Sequence, residues 1–211
     1  GLDPALITKP RQALASAKRE AFRLGDITEN IFAQALDMFQ ATDQSQIHHL
    51  IAADHEINVR NKAILRYLSD VRHHVKSPEQ EQELDHVLHF ASTMENIGDT
   101  ISHDISRLAL KRLKRGVTFS AVGLEEITVI HQEVLKLLRD EINRFASGVV
   151  SKPAKTRKVV ENIRALCTVS VTQHRIRLSE YKSRSIGSSS IHQDMVRDLL
   201  QIALLLEHSP G

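Results

Sequence analysis

Between Leu84 and Arg115 the chain carries apolar or small residues at Leu84, Leu88, Ala91, Met94, Gly98, Ile101, Ile105 and Leu108. The spacing alternates between three and four residues, which is the signature of one long helix with a single buried stripe. Such a helix cannot stand alone and needs partners of similar length. Beside the stripe, Glu95, Asp99 and His103 step by four residues. Side chains four apart lie one above the other on a helix, so two carboxylates and an imidazole form a column next to the core seam.

The rest of the sequence supplies the partners. Helices are predicted at about 11–42, 44–74, 78–115, 121–147, 153–183 and 191–207. Gly25 is a weak point within the first. Asp43 reads as an N-cap, Ser77-Pro78 as a cap followed by an N1 proline, and Gly116 as a residue just past a helix end. Lys152-Pro153 opens the fifth helix. Ser183 to Ser190 reads as a serine-rich loop, with Ser190 capping the sixth helix. Only 4% of the residues are aromatic, and helix-forming residues dominate. The expected fold is all-α: two tandem antiparallel three-helix bundles, residues 1–116 and 117–211, built from six long helices. A shift of 99 residues lays Glu95 and Asp99 on Asp194 and Asp198, and Ile97 and Ile101 on Val196 and Leu200. This is the trace expected of a duplicated bundle.

Several function classes lose support. The formal charge of +2, from 28 bases and 26 acids, gives no indication of a nucleic-acid partner. The one cysteine, Cys167, excludes an internal disulfide, fits a reducing compartment, and lies in an apolar helical phase as an inert thiol would. There is no run of 18 apolar residues, and Gly1-Leu2-Asp3-Pro4 lacks the apolar region of a signal peptide. A start without Met suggests a processed or excised piece of something longer. No phosphate-cradling glycine loop, nucleophile–base pair or zinc-like cysteine pattern occurs, so catalysis has no apparatus here.

Three groups of residues could carry chemistry. The second helix has a seam of Ile47, Leu50, Asp54, Ile57, Asn61, Ile64, Leu68 and Val71, in which Asp54 and Asn61 interrupt an apolar row. A buried carboxylate is costly unless paired, hydrogen-bonded or metal-bound. Asp54, with Asn58 one turn on, could face Glu95, Asp99 and His103 across a groove and hold a divalent or iron ion. Equally, Glu95 and Asp99 could be a solvated stripe, with Asp54 hydrogen-bonded to a neighbouring helix. The second group is His192, Asp194 and Asp198 with His174, which is poor in ligands because the fifth helix has no acid between Glu161 and Glu180. The third is basic: Lys111, Arg112, Lys114 and Arg115 suit a helix C-terminus and could meet an acidic partner or an anionic membrane face. Glu83-x-x-His86 is half of a di-iron bundle signature, but a second copy is missing.

Met94-Glu95-Asn96-Ile97-Gly98-Asp99-Thr100-Ile101, with Asp54-His55-Glu56-Ile57-Asn58, resembles the paired signature of PhoU-type proteins. The C-terminal run from Ser188 to Ile202 and the stretch His174-Arg175-Ile176-Arg177-Leu178 resemble the cytoplasmic PhoU-like domain of bacterial sodium–phosphate cotransporters. The resemblance implies control of phosphate uptake rather than catalysis, at the inner face of the cell membrane. It implies the membrane part of a transporter as partner, with a homodimer as a further option. Divalent metal or iron on Asp54, Glu95, Asp99, Asp194 and Asp198 is also implied. A free-standing regulator of a transporter ATPase and sensor kinase is the alternative, and a di-metal redox bundle a third reading.

Overall fold

The structure, a computed structural model, describes residues 1–149, 154–180 and 186–208. The expected opening at Lys152-Pro153, Tyr181 and the start of the serine loop lie outside them. After a short 3₁₀ turn at Pro4–Leu6, the helices are α1 (Pro10–Phe39), α2 (Gln44–Arg72), α3 (Pro78–Asp99), a π-helical turn (Thr100–Ile105), α4 (Ser106–Arg115), α5 (Ala121–Ala146), α6 (Ala154–Glu180) and α7 (Ile186–His208). Because α3, the π turn and α4 run on without a break, they form one rod, and the described residues make six long helical rods. Two antiparallel three-helix bundles result, as the sequence predicts. The α1 helix packs on α2 and on the third rod; α5, α6 and α7 pack on each other.

Local chemistry sets the ends. Asp43 accepts from the amides of Ser45 and Gln46 at the start of α2. Ser77 accepts from Gln80 N–H ahead of Pro78. Gly116 closes α4 with φ of 61°, a left-handed conformation that glycine adopts without a Cβ penalty. The last helix differs from expectation. It begins at Ile186, so Ser190 lies inside its second turn and is not its cap. Gly187 and the serines after it belong to the helix.

The core runs through both bundles as one cluster. Every member of the predicted α2 seam is buried, Asp54 and Asn61 included. In the third rod Val87 and Phe90 fill the core, while Leu88 is only half-buried. Phe90 stacks on Phe145 of α5 with centroids 3.8 Å apart. His131 of α5 donates its Nε2–H to the Phe32 carbonyl of α1 (2.7 Å). These contacts join the bundles. Gly25 is a point of close approach rather than of weakness: a Cβ there would lie 3.0 Å from Phe90 and 3.3 Å from Ile142.

Candidate functional site

Asp54 sits in the middle of α2, 5% exposed. Its Oδ2 accepts from Asn58 Nδ2 (3.0 Å) and from Ser102 Oγ in the π turn (2.9 Å). Gly98 makes this approach feasible, since a Cβ on it would stand 2.7 Å from Asp54 Oδ1 and 3.1 Å from Ile57. Asp54 Oδ1 has no hydrogen-bond partner among the described residues. Burial pushes the Asp54 carboxyl above the usual range; Ser102, His103 and Asn58 pull it back, and Asp99 adds to the rise. Glu95 is half-buried and raised for similar reasons, first burial and then the charges of Asp99 and Asp54. His103 is largely exposed, with Nδ1 3.7 Å from Asp99 Oδ1. The predicted column is therefore real, and it flanks Asp54. The π turn beneath it is covered by α1, α2 and α7, and π turns are enriched at functional positions.

The donors do not converge as a metal ion requires. Asp54 Oδ2 is taken up by Asn58 and Ser102, and Oδ1 faces Gly98. Among the described residues no group of three His, Cys, Asp or Glu is arranged to hold an ion.

The second bundle contains a denser polar cluster. Arg177 of α6 grips Glu126 of α5 with two hydrogen bonds, 2.8 and 3.0 Å. Ser170 donates to Glu126 Oε2 (2.9 Å). His192 of α7, fully buried, brings Nε2 to 3.3 Å from the same oxygen. Its ring stacks on His174, centroids 4.5 Å apart and nearly parallel. Burial raises the Glu126 carboxyl, but the hydrogen bonds of Arg177 and Ser170 outweigh it and hold the group low. Burial and the neighbouring His174 drive His192 down to about 4, so its imidazole is neutral at pH 7. The pairing of His174 with His192 was legible in the sequence. Glu126 was not, because it comes from α5 and reaches the two histidines only through the packing of α5 on α6 and α7.

Asp194 and Asp198 lie on α7 beside this cluster but face another way. Asp198 is buried, with one oxygen unpartnered among the described residues. Burial, against the opposing charge of Arg197, lifts it to about 6, and Asp104 of the π turn adds to the rise. Arg197 lies 3.0 Å from Asp194 and 3.4 Å from Asp198. Of the basic group, Lys114 and Arg115 are exposed and Lys111 half-buried. Arg112 turns inward, donating to the carbonyls of Ala41 and Val117. It ties the end of α4 to the end of α1 and is not a free surface cation.

Residues 22–108 match the PhoU domain. The chain is 26% identical over 201 residues to proteins of Escherichia coli K12 and Salmonella typhimurium described as the putative inorganic phosphate export protein YjbB, covering 95% of this chain. It spans 37% of their length. In structure it is similar to PhoU from Pseudomonas aeruginosa, with a TM-score of 0.82, 15% identity, and coverage of 92% of this chain and 91% of that one. It is also similar to the phosphate transport system regulatory protein PhoU from Streptococcus pneumoniae: TM-score 0.78, 17% identity, coverage 94% and 91%.

Proposed function

We propose that this chain, PhoU-like in fold and carrying a PhoU domain in its first half, is a regulatory domain that controls phosphate movement by docking on the membrane part of a sodium–phosphate cotransporter. The observation that carries the reading is the alignment: 95% of this chain finds its counterpart within a much longer phosphate-export relative. The sequence alone points to uptake. The export description of those relatives widens the role to flux in either direction. No helix among the described residues is long and apolar enough to cross a membrane. On this reading the contact is made from the inner face, as the family resemblance implies. The role is regulatory, and no catalytic step is assigned to any residue.

The polar clusters support a docking role. Asp54, Asn58 and Ser102 lock α2 to the π turn, while Glu126, Arg177 and His192 lock all three helices of the second bundle. Both stiffen the rods and leave Glu95, Asp99 and His103 on the outside. The free-standing regulator is favoured by one observation, the match over nine-tenths of independent PhoU chains. The test is direct binding. The purified chain should co-sediment with a sodium–phosphate cotransporter's membrane part held in nanodiscs, and not with empty nanodiscs. Binding to a transporter ATPase instead would favour the free-standing regulator.

A further inference from the structure

The α6 helix packs on α5 and α7 and buries Val160, Ile163, Cys167, Ser170 and His174 against them. Its opposite side is basic. Arg157, Arg164 and Arg175 lie seven and eleven residues apart, close to two and three turns, so they form a straight row about 27 Å long. Lys155 and Lys158 add two more bases, and all five are exposed. Glu161 is the one exposed acid between Ala154 and Ser179. It stands one turn from Arg157, Lys158 and Arg164, which outnumber it. The whole chain holds 28 bases and 26 acids, so this face carries a larger surplus of positive charge than the entire molecule. None of the five bases forms an ion pair among the described residues, whereas Arg177 and Arg197 nearby are held by Glu126, Asp194 and Asp198. Beside the row, Val169 and Ile176 are 56% and 48% exposed. They share one direction with Lys158 and Ala165, on the side of α6 turned away from the core.

We infer that this face of α6 rests on an anionic lipid surface. A leaflet rich in acidic lipids attracts clustered Lys and Arg side chains, and the attraction fades within a Debye length. A row of bases along the outside of one helix fits such a plane, because every guanidinium can reach it at once. Two features favour lipid over an acidic protein. The bases run the length of the helix instead of ringing an apolar centre, as they do at a protein interface. The exposed apolar side chains among them suit the boundary between headgroups and acyl chains, while the long arginine stems reach from the flank of the helix to the phosphates beside it. The inference concerns lipid itself and is independent of the proposed contact with a transporter.

Sedimentation with vesicles tests it on the purified 211-residue chain. The chain should pellet with vesicles of phosphatidylglycerol mixed into phosphatidylcholine and stay in solution with phosphatidylcholine alone. Salt at about 1 M, where the Debye length is about 3 Å, should release it. A base beside an anionic surface strengthens binding about fivefold, so Arg164→Gln with Arg175→Gln should weaken it about 25-fold. Helicity should be unchanged, because both side chains are exposed. Val169→Asp should weaken binding as well. Arg11→Gln with Arg19→Gln removes the same charge from exposed positions on α1 and should change binding less than about twofold. No binding to the mixed vesicles, equal binding to phosphatidylcholine alone, or a loss from the α1 pair as large as from the α6 pair would each overturn the inference. If retention on polyglutamate accompanied the first of these, the face would belong to an acidic protein instead. The vesicles hold no protein, so such a failure leaves the transporter contact to its own test.

Discussion

Asp198 and His192 lie six residues apart on α7 and titrate in opposite senses. The folded state holds the Asp198 carboxyl at about 6, above its ordinary 3.8. Its contribution to stability is therefore complete below about pH 4 and is lost as pH rises through 6. The folded state holds His192 at about 4, below its ordinary 6.5. Its contribution is present above pH 6.5 and is lost as pH falls through 4. Each is worth on the order of 3 kcal/mol, so in the native chain the two slopes largely cancel between pH 4 and 6.5. Separating them exposes each. Relative to the native chain, Asp198→Asn should lose stability as pH falls across that window, and His192→Phe should gain it. Thermal melts of both variants at pH 4.5 and 7.5 check this; parallel profiles would show that neither group is held as described. Asp54 poses a simpler question. Its carboxyl is raised by burial and already shared between Asn58 and Ser102. Asp54→Asn should be neutral or stabilising by up to about 1 kcal/mol in urea unfolding. A loss of several kcal/mol, or metal that elemental analysis finds in the native protein and not in the variant, would mark Asp54 as a ligand.

At the scale of elements, the close crossing of α2 and the third rod depends on Gly98. Adding a methyl group there presses on Asp54 Oδ1 and on Ile57 at the same time. Overpacking of this kind costs about 1–3 kcal/mol, so Gly98→Ala should lower the unfolding midpoint despite the better helix propensity of alanine. An unchanged midpoint would mean that the rods can separate at no cost. Most of the elements were legible in the sequence because their ends have chemical markers: Asp43, Ser77-Pro78 and Gly116 all act where the pattern placed them. The start of α7 was not, since serine is at home both in a loop and in the first turns of a helix. The π turn left no trace either. Its residues, Thr100 to Ile105, fit a regular helical pattern, and the turn lies where α1, α2 and α7 pack against it. The seam through Asp54 was readable because a carboxylate in an apolar row stands out. Glu126 stayed hidden because it lies beside the apolar positions of α5, and its partners Ser170, Arg177 and His192 are brought to it from distant parts of the chain.

At the scale of the whole molecule, two three-helix bundles share one core through the stacking of Phe90 on Phe145 and the His131 bond to Phe32. The surfaces divide by chemistry. The acidic column of Glu95 and Asp99 rises from a rigid polar lock in the first bundle, and the basic outer face of α6 occupies the second. Buried polar clusters hold the rods in register, and the exposed faces lie outside them. The central claim is that the molecule controls phosphate flux. Radiolabelled phosphate flux in cells, measured across a range of external phosphate with the segment Gly1–Gly211 present or deleted from its gene product, tests it most directly. The account predicts that deletion leaves transport in place but abolishes its response to external phosphate. Flux with the same magnitude and the same phosphate response after deletion would contradict it.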